Sequence, residues 1–189
     1  LLVTGSNDWG GLLELLDRSE AAHGRPYALS PILLTQHSGR WQPFAFDAGT
    51  PEAERQALVH LQHQALHYQG QKKLLDDLHE RIEEDVYVAS FMILQEADPP
   101  GPEFSVGWLI SSITDTLLPV TERVGFAKQI AGKEEERILV AWADCMAIVG
   151  HLFLPVPNLH PPRYRVLSFP DAREWQQLKA RAVPRPRAG

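Results

Sequence analysis

Strand-like segments in this chain come in neighbouring pairs with only a turn between them, and that pairing most limits the folds open to it. "ALSPILLTQHSGRWQPFAF" reads as a hairpin: Ile32, Leu34 and their neighbours form one arm, "HSGR" the turn, and Trp41 to Phe46 the other. Pro43 in the second arm marks an edge position, because proline donates nothing to a ladder. "VYVASFMILQ" is apolar on both faces, as a doubly covered strand is, and "FSVGWLISSI" follows across "EADPPGPE" as its antiparallel partner. "ERVGFAKQ" and "RILVAW" make a further pair across "AGKEEE". Antiparallel neighbours need only a short turn, whereas parallel neighbours need a long crossover. The expected class is therefore α+β, a mostly antiparallel sheet of about five to seven strands with helices packed on it.

The helices have their own signals. Residues 1–4 read as a strand, after which Leu12, Leu13, Leu15 and Leu16 give a short amphipathic helix from Asp8 to about Ala22, ended by Gly24 and Pro26. Thr50 and Pro51 combine an N-cap oxygen with a proline at the first helical position, so a long helix starts there and runs to about Glu84. Its apolar face turns by roughly 75° midway, near Gly70, which predicts a kink or two helices meeting there. "ADCMAIVGHL" reads as a short helix, "PVPNLHPPR" as an extended connection and "YRVLSF" as a last strand. Asp171 and Glu174 form a capping-box start for a final helix to about Ala182. One domain over residues 1–182 is expected, followed by a mobile basic tail over 183–189.

Composition narrows the function classes. With 18 basic and 24 acidic residues the net charge is −6, which favours solubility and argues against a nucleic-acid partner. The single cysteine, Cys145, excludes an internal disulfide and any Cys-rich zinc site, and points to a reducing, cytoplasmic setting. No apolar run has the length of a membrane span, and no basic-then-apolar leader opens the chain.

Three stretches invite chemistry. "LVTGS" resembles the first strand and loop of some Rossmann-like nucleotide-binding families, over about five residues. Gly5, Gly10 and Gly11 nevertheless match neither the dinucleotide spacing nor a P-loop, and no lysine follows. The plainer expectation is a turn with Ser6, Asn7 or Asp8 as helix cap. His60, His63 and His67 share one helical face at a spacing that suits a zinc or nickel ion. They lie opposite the local apolar face, so they read as a solvated stripe and the sequence calls for no cofactor. Cys145, near a helix start, is a candidate nucleophile whose base would be His37 or His160, set against the reading of a small buried hydrophobe.

Two further features favour binding over catalysis. "NLHPPRYR" is a Pro-rich, basic and aromatic stretch, and His160, Arg163 and Tyr164 are its candidate contact residues. Arg181, Arg185 and Arg187 would serve a third reading, contact with nucleic acid through the tail. The expected function is a non-catalytic binding or regulatory module acting through a protein partner or self-association. The alternative is a small-molecule or nucleotide-binding enzyme with its site at the N-terminal glycine turn or over the sheet.

Overall fold

Asp8 begins the first helix. In the computed structural model, which describes residues 3–5, 7–22, 25, 30–97, 100–130 and 135–183, its side chain accepts from Gly11 N and the helix α1 runs Trp9–Ala21. The chain divides into two compact units, Leu1–Leu66 and His67–Gly189.

In the first unit, residues 3–5 are not strand, so the expected opening strand is absent there; Ser6 and the proposed stop at Gly24 and Pro26 lie outside the described residues. The expected hairpin is present as β1 (Leu34–His37) and β2 (Arg40–Pro43), with Leu34 opposite Pro43 and Gln36 opposite Trp41. Ser38 and Gly39 turn it at positive φ, the conformation that matches the twist of a tight hairpin. Leu12, Leu16, Phe46 and Val59 form this unit's core, with Leu33 and Phe44 against it.

The helix α2 is a single element, Pro51–Ile82, entered where Ala53 N donates to Thr50 Oγ1 at 3.2 Å. Gly70 neither ends it nor splits it. Val59 belongs to the first unit's core, and Leu75 to a core of the second.

The second unit holds two sheets. The strands β3 (Tyr87–Val88), β4 (Met92–Ala97), β5 (Pro100–Ile110), β6 (Thr116–Pro119), β7 (Arg123–Lys128) and β8 (Glu136–Ala141) precede α3 (Trp142–Val149). After a short 3-10 turn come β9 (Phe153–Pro155), β10 (Arg163–Val166), α4 (Ala172–Ala180) and β11 (Ala182–Val183). The order is β3-β6-β10-β9 in one sheet and β11-β8-β7-β5-β4 in the other. The α+β class stands, with eleven strands in three sheets among the described residues. Most pairings are antiparallel, including β4–β5 and β7–β8 as expected, while β5–β7 and β3–β6 are parallel. Val183, assigned to the tail from sequence, pairs with Leu139; residues 184–189 lie outside the described residues.

The segment read as one doubly covered strand, "VYVASFMILQ", is two strands in different sheets. At the break, Ala89 O accepts from Arg163 Nη1 at 2.8 Å, and Phe91 stacks on Tyr68 at 4.9 Å. The main core gathers Leu109, Leu118, Val124, Phe126, Val140, Cys145, Val149, Trp175 and Leu178. Register sets Trp108 beside Gly125, where a Cβ would lie 2.4 Å from the indole. Only glycine fits under that ring. The cap of α4 is as expected: Glu174 N donates to Asp171 Oδ1, and Asp171 N to Glu174 Oε2, both at 2.8 Å.

Candidate interaction surface

Within the second unit, α2 is fixed along one face. Tyr68 is buried, donates its hydroxyl to Pro162 O at 2.8 Å, and accepts from Val120 N at 3.1 Å. Gln71 Nε2 donates to Pro161 O at 2.7 Å, Lys72 Nζ donates to Val88 O at 2.7 Å, and Leu75 packs with Val88 and Leu117. The Pro-rich connection is thus strapped to the helix through its own carbonyls.

Arg163 sits at the centre of this attachment, 1% exposed. Its Nε donates to Gln71 Oε1 at 2.6 Å, and its Nη1 to Ala89 O at 2.8 Å and Leu117 O at 2.9 Å. Nη2 reaches Tyr68 O at 3.4 Å, and the guanidinium lies 5.1 Å from the Tyr68 ring centroid. Burial draws its pKa down to about 10, with Tyr68 and Asp76 opposing the shift, so it stays charged at neutral pH. A buried cation needs its donors satisfied, and the planar fork meets several acceptors at once. Arg163, selected from sequence as a surface contact, is therefore an internal tie. Tyr164 is half-buried against Trp142 and Phe153, and His160 is exposed.

The same helix presents a second, solvent-facing ridge. Leu74, Leu78 and Ile82 are 70%, 42% and 50% exposed, spaced by four residues, which sets them in one row along the helix. Gly70 precedes them in the same row and is also exposed. Lys73 and Asp77, paired at 3.1 Å, and Arg81 border the ridge. In the first unit, the hairpin shows another apolar face, with Leu34 and Trp41 exposed and Pro43 beside them.

The other sequence candidates fall as follows. Asp8 Oδ2 accepts from Thr4 Oγ1 at 2.7 Å and Oδ1 from Gly11 N at 3.1 Å, and these bonds hold its carboxyl below the usual range. At this helix N-terminus, the protein's own carboxylate takes the place that an anion would seek. His60 and His63 are half-buried and His67 is exposed on α2. The stripe is therefore less solvated than its helical angles suggest. His60 Nε2 is sealed from solvent, and burial lowers the His60 pKa. Among the described residues, no three His, Cys, Asp or Glu side chains gather where they would hold a metal ion. Cys145 is buried in the main core, and burial pushes its thiol up to about 12, the reverse of an activated nucleophile. His151 pairs with Glu174 at 3.1 Å. Arg181 lies 3.8 Å from Asp144, and Arg185 and Arg187 lie outside the described residues.

Sequence reading missed the ridge because Leu74, Leu78 and Ile82 resemble core positions of an amphipathic helix. The available signal was that Leu74 and Leu78 fall on a different face of the helix from Tyr68 and Leu75. Comparison of the chain with protein-family models, with curated proteins and with solved structures gives no significant match. No helix among the described residues is long and apolar enough to cross a membrane.

Proposed function

We propose that the protein is a non-catalytic binding or regulatory module that acts through protein–protein contact, with α2 as its contact face. The observation that carries this reading is the row Leu74–Leu78–Ile82 left open to solvent on a helix whose other face is anchored. Single exposed leucines are ordinary, but a contiguous apolar row with a charged border is how helix-docking surfaces are built. The net charge of −6 supports a protein partner over nucleic acid, and the single buried cysteine supports a cytoplasmic setting.

The test is affinity capture with wild type and with Leu74→Ser/Leu78→Ser, after thermal unfolding has shown both to be folded. The expected result is a stoichiometric protein partner, whether a second copy or another chain, retained by wild type and reduced at least about tenfold by the variant. Equal recovery by both proteins, or no partner with either, would contradict the reading.

A further inference from the structure

The hairpin of the first unit is rooted on α2 at both ends, by two residues one helical turn apart. Gln56 is buried and holds the outgoing chain: its Oε1 accepts from Phe46 N at 3.3 Å, and its Nε2 donates to Phe44 O at 3.0 Å. His60 holds the incoming chain by a hydrogen bond to the carbonyl of Pro31, a buried residue shortly before β1. Its Nε2 is sealed from solvent and has no hydrogen-bond partner among the described residues, so the bond runs from Nδ1–H. Pro31 O also accepts from Ser19 Oγ at 3.3 Å, which brings α1 into the same joint. Between the two ties, Phe44 N donates to Leu33 O at 2.8 Å and closes the root of the hairpin.

The ties differ in chemistry. A carboxamide keeps its protons across the neutral and mildly acid range, whereas an imidazole gains one there. With Nδ1 already protonated, a proton from solvent enters His60 only at Nε2, and it leaves a cationic N–H buried without an acceptor. No charge among the described residues compensates it. Asp17 and Glu20 on α1 are paired with Arg55 of α2, and Ser30, Pro31, Ile32 and Leu33 carry no charge. Along α2 its neighbours three and four residues away are Gln56, Ala57, His63 and Gln64, of which His63 can add only like charge. Burial accordingly holds the His60 pKa below that of a free imidazole, against the opposing pull of the Pro31 carbonyl.

We propose that His60 is an acid-operated latch on the hairpin: its neutral ring fastens the incoming arm to α2 and α1, and protonation at Nε2 releases that arm while Gln56 keeps the outgoing one. The released ring binds a proton more readily than the fastened one. The latch is therefore fully closed above about pH 6.5 and weakens as pH falls, by up to about tenfold per pH unit.

Residue-resolved amide exchange, corrected for the intrinsic rate at each pH, reads the latch. Between about pH 7 and about pH 5 the Phe44 amide of wild type is expected to lose about tenfold in protection, while the Phe46 amide, held by Gln56, keeps its own. In His60→Asn the side-chain amide nitrogen stands where Nδ1 does and takes up no proton, so the Phe44 amide should show no such fall. That variant retains Asp17, Glu20, Arg55 and His63, so the pH dependence it loses belongs to His60. No fall in wild type, a fall of equal size in His60→Asn, or an equal fall at Phe46 would overturn the inference. Ring nitrogen NMR of wild type near neutral pH is a second measurement that needs no variant. It is expected to show the proton of His60 on Nδ1 and a bare Nε2, and a neutral ring protonated on Nε2 would overturn the latch as well.

Discussion

Arg163 contributes to this protein from the inside. Its donors are spent on Gln71 Oε1 and on the carbonyls of Ala89 and Leu117, the last of which also accepts from Ala89 N at 3.1 Å. Arg163→Ala should therefore cost about 3 kcal/mol or more in urea unfolding, because each orphaned buried polar group costs about 1–3 kcal/mol. Arg163→Lys should recover only part of that, since an ammonium cannot reproduce the fork. Equal stability of Arg163→Ala and wild type would refute the tie. Cys145 makes a second prediction at this scale. Its folded pKa, about 12, lies above that of an unfolded thiol. The unfolded chain thus loses its proton first as pH rises. Stability from this group is complete below about pH 8.5 and declines from there towards pH 12, by up to about 1.4 kcal/mol per pH unit. Native protein at pH 8 should resist iodoacetamide, whereas unfolded protein should react fully. Rapid native alkylation would show the thiol to be accessible.

At the scale of the element, α2 joins two jobs. Gly70 sits in its exposed middle, with no positive φ and no atom within 4 Å of the place a Cβ would take. Gly70→Ala should stabilise the protein by about 0.5–1 kcal/mol, because glycine costs that much relative to alanine in an open helix interior. Calorimetry would check it, and a lower Tm would mean that the glycine serves a break in the helix after all. The local elements were legible where the residues themselves carry the code. Thr50–Pro51 starts α2, Asp171 with Glu174 caps α4, and "HSGR" turns the hairpin. The four-stranded sheet was harder to read, because β3, β6 and β9 are two to four residues long and take their partners from distant sequence. Parallel pairing of β5 with β7 is equally silent in sequence, since it rests on Trp108 settling over Gly125. The role of Arg163 was hidden for the same reason. A basic residue after two prolines reads as surface, and the Gln71 it binds is far away in the chain.

For the whole molecule, anchorage and presentation meet on one helix. Tyr68, Gln71, Lys72 and Leu75 hold α2 to the second unit, and that attachment leaves Leu74, Leu78 and Ile82 in solvent. A ridge that exists to be covered should govern association and contribute little to folding. Leu78→Glu should therefore unfold within about 0.5 kcal/mol of wild type, as surface substitutions usually do. Capture of a protein partner on immobilised wild type and on immobilised Leu78→Glu tests the docking role of α2 most directly. Wild type is expected to retain a stoichiometric protein partner, and Leu78→Glu to retain at least about tenfold less of it. A partner retained by neither protein, or retained equally by both, would contradict it.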